Sequence, residues 1–344
     1  MRDVSGFVFA GMAAGCLGLL AGCSSPVRGG PAVPLASGGA SAVYVSQPAL
    51  DLGVTGTVTQ YPASGNGVAS PTEALATPFT QADSYVATDP SGQLYLGIQT
   101  GESSEVLVFS SGASGSASPA RTIVGSAASF SEPGPLAVDA ASQLYVVDPA
   151  GSISVFSNTA DRAATPVRLI QGSLTRLADA TVPSAISVDG AGNIYVALES
   201  TSANVADWTI LVFSPSATGN VAPARIITVS NPCSLDNSIE VALDAKGNFY
   251  AACFEGDAST ILEFALSAPA VATPVKTIAG AATGLEGVLA LSVDSVGNLY
   301  ALSYTQSTGL SVLGFGPSSS GNIAPAIQFK SGSMTSIFPQ LALR

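Results

Sequence analysis

The chain has 344 residues and not one histidine. That absence removes Ser-His-Asp triads, Cys-His dyads and histidine-held zinc or iron. Charge is also scarce: 10% of residues are charged, with 11 Lys+Arg against 23 Asp+Glu, a net charge of -12. A balance of that sign argues against nucleic acid as a partner, whose affinity comes from neutralised phosphates. There is one Trp and there are four Cys. No phosphate-binding glycine loop is present: Gly115, Gly219 and Gly321 sit in Ser/Ala/Asn-rich turns that fit hairpins. What remains is 47% hydrophobic, so acidic disorder is excluded, and the length suits one large all-β domain or two smaller ones.

The first 22 residues read as a secretion signal. Arg2 leads into an apolar, Gly/Ala-rich stretch from Val4 to Gly22, too poor in large apolar residues for a typical membrane span. It ends in Leu20-Ala21-Gly22-Cys23, which resembles the bacterial lipobox. The resemblance implies that Cys23 becomes the lipid-modified first residue of the mature chain. Ser24 stands where inner-membrane retention would favour Asp, so placement in the outer membrane is expected. Residues 24–41 are Ser/Gly/Pro-rich with one charge, Arg28, and read as a flexible tether with a coil span on the order of 25 Å.

From residue 42 onward one motif recurs. Val188-Asp189-Gly190-Ala191-Gly192-Asn193-Ile194-Tyr195 has counterparts ending at Tyr95, Tyr145, Tyr250 and Tyr300, and a sixth tyrosine is Tyr44. Most gaps between these tyrosines are 50 or 51 residues; the one before Tyr250 is 55. Each tyrosine strand is followed by a run ending in Tyr61, Phe109, Phe156, Phe213, Phe264 or Phe315, then by a proline and a last β-rich run. Periods near 50 residues with four short strands each are the signature of propeller blades. The predicted fold is all-β: a six-bladed propeller of four-stranded antiparallel blades over residues 42–344. The first unit lacks its leading strand, and Gln340-Leu341-Ala342-Leu343 at the C-terminus matches the missing piece. Ring closure by that segment is expected, with the last strand joining the N-terminal blade.

The recurring Asp has a local cause. Its carboxylate accepts backbone N–H groups at the start of a tight turn, and Gly supplies the positive φ that closes it. The equivalent cations Arg121, Arg168, Arg225 and Lys276 fall on the last strand of a blade, where a charge and a proline would block edge-to-edge association.

The Val-Asp-x-x-Gly-Asn-Ile-Tyr-Val unit resembles the NHL repeat family, within the wider class of six-bladed propellers that includes gluconolactonase-like proteins. That resemblance implies the fold strongly and an activity weakly. Enzymes of the class often use His, absent here, or a calcium ion held by Glu, Asn and Asp.

Fourteen of the 22 acids downstream of residue 22 fall in the loops that join second to third strands and fourth to next first strands, which share one face of a propeller. Such a mouth could draw calcium, which prefers carboxylate oxygens, but loops also carry the charges that strands cannot bury. The acids to test are Glu102, Asp148, Glu199 and Glu255, each close behind its second strand. Trp208, beside the inserted residues of the longest unit, is a candidate ligand platform or a packing residue. Cys233 and Cys253 should reach the same face, and a disulfide there would stabilise by roughly 3 kcal/mol. The expected function is that of a lipid-anchored, monomeric binding or scaffold module of the cell envelope, for a protein, glycan or small ligand. The alternative is a calcium-assisted lactone or ester hydrolase.

Overall fold

The computed structural model describes residues 29–47, 56–77, 85–99, 103–126, 129–179, 181–200, 208–229, 238–254, 258–265, 271–305, 309–330 and 340–344. They form six sheets of antiparallel strands, each four strands deep from the axis outward. Blade 1 comprises 42–77 and takes its innermost strand from Gln340–Leu343; blades 2 to 6 span 85–124, 136–171, 181–229, 238–278 and 287–330. The closing strand pairs antiparallel with Ala42–Gln47, Val43 opposite Leu343 and Val45 opposite Leu341. The ring is therefore sealed by backbone hydrogen bonds between the two ends of the propeller, as its repeat arithmetic required.

The repeated aromatics explain why the blades stack. All six motif tyrosines and all six aromatics closing the third strands are buried. Six apolar clusters fill the spaces between blades, and each joins residues of two neighbours. A sheet with both faces buried needs a near-continuous apolar run, and Ile194-Tyr195-Val196-Ala197-Leu198 is one.

The outer edges are not left open, which corrects the expectation of exposed edges guarded by cations. The loop before each fourth strand runs back along the preceding blade and pairs with its outermost strand in parallel. Bridges join Leu75 to Gly115, Ile123 to Arg162, Ile170 to Gly219, Thr228 to Val271 and Ile278 to Gly321. The two-residue strand Gly67–Val68 does the same for blade 6. Gly219 shows the chemistry: its N–H donates to Leu169 O at 2.7 Å and its carbonyl accepts from Gln171 N at 3.1 Å. Gly219 does this with a left-handed backbone, φ +67, and Arg162 adopts the same conformation at +54 in the same role.

The cations on the fourth strands staple blade to blade. Arg121 donates to Ala160 O at 2.8 Å, Arg168 to Pro215 O at 2.6 Å and Lys276 to Pro317 O at 2.8 Å, each acceptor in the following blade. Lys276 also pairs with Glu263 at 2.7 Å.

Residues 29–41, expected to belong to a flexible tether, lie against the ring. Gly30 N donates to Asn322 O at 2.7 Å, Ala36 N to Asn298 Oδ1 at 2.6 Å and Ala40 N to Asp294 Oδ2 at 2.9 Å. Val33 and Leu35 pack on the clusters flanking blade 6. Two apolar side chains in an otherwise Ser/Gly/Pro-rich run, together with a row of backbone donors, are enough to seat the arm.

Candidate functional site

The strand order gives the ring two chemically different faces. The lower face carries the turns between first and second strands, and these are the recurring Asp motifs. Asp189 accepts from Ala191 N, Asn193 N, Asn193 Nδ2 and Tyr195 Oη at 2.8–3.1 Å. Asp244 repeats the set with Lys246, Asn248 and Tyr250. Burial pushes the carboxyls of Asp89 and Asp189 up, but the hydrogen bonds they accept win, and both titrate below the ordinary aspartate value. These side chains close turns and tie down the motif tyrosines.

The upper face carries the second-to-third and fourth-to-first connections. Of the four acids singled out from sequence, Glu102 and Glu255 lie outside the described residues. Glu199 stands opposite Trp208 in the pairing, and burial raises its carboxyl above the ordinary glutamate value. Asp148 is buried at the hairpin of blade 3 and accepts from Ser131 N, Ser131 Oγ and Ala150 N. Among the described residues no three Cys, Asp or Glu side chains group closely enough to hold a metal ion. Trp208 is 1% exposed with its ring 5.8 Å from Phe249 of blade 5, so it packs between blades and offers no platform to a ligand. Cys253 is buried and disulfide-bonded, and Cys233 lies outside the described residues.

Asp148 does mark a cavity. A recess of about 400 Å³ opens over blade 3, within the range of small-molecule pockets. It exists because the hairpin Asp148–Ser152 is so short. Pro149, Ala150 and Gly151 form the whole connection, and Gly151 takes φ +101 to close it. The walls come from the two fourth-to-first connections flanking the blade, through residues 126, 129, 131 and 172–179. Asp148 holds the first wall through Ser131; Gln171, Arg176 and Asp179 belong to the second. Arg176 Nε donates to Asp179 Oδ2 at 2.9 Å, both side chains half-exposed at the rim.

The sequence pointed to Asp148 and counted Asp179 among the fourteen acids of this face, but Arg176 and its pairing with Asp179 were missed. A signal was present. Gly172-Ser173-Leu174-Thr175-Arg176-Leu177 repeats as Gly280-Ala281-Ala282-Thr283-Gly284-Leu285. Both segments are 3-10 turns in the same connection, and their end residues share a left-handed conformation, φ +63 at Arg176 and +71 at Gly284. Both threonine hydroxyls donate to the leading glycine carbonyl at 2.7 Å. The Arg is the anomaly in an otherwise matched pair.

With the fold and the cavity described, known proteins can be set beside them. No protein-family model matches the chain, and no curated protein does. Among solved structures, a Lactobacillus plantarum protein determined as a structural-genomics target shares 12% identity over 80% of this chain and 91% of its own, with a TM-score of 0.45. The WD40 domain of Toxoplasma gondii coronin shares 11% over 88% and 78%, with a TM-score of 0.49. PorZ, described as an essential bacterial surface component of the type-IX secretion system of Porphyromonas gingivalis, shares 15% over 76% of this chain and 37% of its own, with a TM-score of 0.42. Identities this low concern the fold alone. The chain is a six-bladed propeller, a fold suited to a binding or scaffold role.

Proposed function

We propose that the protein is a lipid-anchored binding module of the bacterial cell envelope and that the upper face of the ring is its recognition surface. One observation supports that face over the other. The lower face spends its carboxylates on its own turns and is partly covered by residues 29–41, whereas the upper face holds a cavity of about 400 Å³ lined by hydroxyl, amide, guanidinium and carboxylate groups.

Anchoring through Cys23 rests on the Leu20-Ala21-Gly22-Cys23 pattern, and Ser24 favours the outer membrane. The seated arm shortens the leash. Only residues 24–28 separate Cys23 from Gly29, a reach of at most about 20 Å when fully extended. A domain so tethered stays near the lipid surface and presents a limited set of orientations to it.

Labelling cells with radioactive palmitate tests the anchor. The intact protein should take up label and sediment with membranes, and Cys23→Ala should lose both properties while keeping its melting temperature. Label retained in the Cys23→Ala protein would refute the anchor. Thermal unfolding with calcium and with a chelator separates the module from the calcium-assisted hydrolase: a calcium-specific rise in Tm would favour the hydrolase.

A further inference from the structure

We propose that the cavity over blade 3 binds a neutral carbohydrate, gripped at its rim by Arg176 and Asp179. The proposal deepens the reading of the upper face as a recognition surface and rests on it.

The two 3-10 turns form a matched pair. The segment ending at Gly284 shows that glycine completes this turn, with the same φ and the same threonine-to-carbonyl bond. Placing Arg at the equivalent position 176 forces an L side chain into the left-handed region at φ +63, which glycine occupies without strain. Arg162 and Ser142 adopt the same conformation in a latch and in a turn, so the backbone alone does not mark a ligand site. What the Arg adds is a guanidinium at the cavity rim, oriented by its Nε bond to Asp179 at 2.9 Å. The half-exposed guanidinium lines the rim, and among the described residues its bond to Asp179 is made through Nε, which leaves the terminal nitrogens to solvent or a ligand.

The cavity lining is polar. Asp148 is spent on Ser131 and Ala150, so it shapes the wall. Ser129, Ser131 and Ser152 are likewise engaged with the protein, and the groups left facing the cavity are the Ser173 hydroxyl, the Gln171 amide and the guanidinium–carboxylate pair. No aromatic or large aliphatic side chain lines it, which disfavours an apolar ligand. The chain carries a net charge of -12, which disfavours an anion. A polyhydroxylated neutral molecule fits what remains. One hydroxyl of a vicinal diol donates to Asp179 while its neighbour accepts from Arg176, and Ser173 and Gln171 serve further hydroxyls.

The test is a titration of the purified full-length chain with glucose, galactose, N-acetylglucosamine, lactose and maltose, read by saturation-transfer NMR and calorimetry, with acetate as the anionic control. At least one sugar should bind saturably, with Kd of about 1 mM, a strength that a few charge-assisted hydrogen bonds supply. Arg176→Gly reproduces the twin turn, so it should fold with an equal or higher Tm and bind that sugar about tenfold more weakly or worse. Asp179→Asn should weaken binding while leaving Arg176 in place. Absence of saturable binding by every sugar up to about 10 mM would overturn the proposal. So would sugar binding that Arg176→Gly leaves unchanged, or acetate binding more tightly than any sugar. Palmitate uptake at Cys23 is independent of position 176. A failed titration with intact uptake therefore overturns the carbohydrate and leaves the anchored module standing.

Discussion

The two faces of the ring differ in how completely they compensate buried carboxyls. On the lower face, carboxylates are placed where backbone and side-chain donors converge. Asp294 is 7% exposed and accepts from Val296 N, Gly297 N, Asn298 N, Asn298 Nδ2 and Ala40 N. On the upper face Asp148 is paired in the same way, whereas Glu199 there and Glu240 at the adjoining end of the axis are raised by burial alone. Glu240 occupies the innermost strand of blade 5, where the pairing register slips between Ser238 and Val241, and burial pushes its carboxyl up to about 7. The same side-chain chemistry thus cements the turns of one face and leaves two carboxyls destabilised by burial at the other.

The strongest way to break this contrast is to open the lower face at the seam. Removing Gln340–Arg344 takes away the innermost strand of blade 1, the bonds from Ser41 and Ala42 to Arg344 O, and the bond from Thr88 Oγ1 to Leu343 O. Cooperative thermal unfolding should disappear, and an unchanged melting transition would refute sealing by this strand. Next in size is Asp294→Ala. It strands several buried donors at once and frees the docked arm, and should cost about 4 kcal/mol in denaturant unfolding. A loss below about 1 kcal/mol would mean that the turn holds itself without the carboxylate.

The third prediction uses pH to separate the faces. Asp89 and Asp189 titrate below their unfolded values, so the stability they contribute is present above the unfolded value and is lost as pH falls through the folded one. Glu240 has the opposite sign. Its folded value of about 7 lies above the unfolded 4.5, so stability falls as pH rises from 4.5 to 7 and stays reduced beyond. The full penalty at pH 8 is about 3 kcal/mol. Glu240→Gln should recover most of it at pH 8 and change little at pH 4. Equal effects at both pH values would show that burial of the charge is not the cause.

How much of this was legible beforehand depends on which atoms carry the signal. Side-chain periodicity announced the blades, because every blade must bury a Tyr and a closing aromatic, and the partial first unit announced the seam. The Asp turns were legible because turn geometry dictates residue type. The parallel latches were not. They are made by backbone groups, and only scattered positive-φ glycines such as Gly115 and Gly219 betray them. Edge logic assigned Arg121, Arg168 and Lys276 to solvent because sequence spacing does not show which blade a long side chain will reach. The docked arm has the composition of a linker and is seated chiefly by its backbone. The cavity escaped notice for a different reason: it is produced by what blade 3 lacks, a longer hairpin.

The smallest effect sharpens the comparison most, because it sets two copies of one turn against each other within a single molecule. Gly284 and Arg176 end the same 3-10 turn with φ +71 and +63. A Cβ at Gly284 would meet only Leu313 at 3.6 Å, ordinary contact, so Gly284→Ala should cost backbone strain alone, about 1 kcal/mol. Arg176→Gly should return a similar amount, offset by the greater freedom glycine gives the unfolded chain. Opposite signs for the two substitutions would mean that the chain tolerates strain at one copy and avoids it at the other, which folding alone does not demand. Equal signs would mean that the Arg176 side chain stabilises the turn through Asp179. Its presence would then be a matter of stability, and the difference between the two turns would carry no information about a ligand.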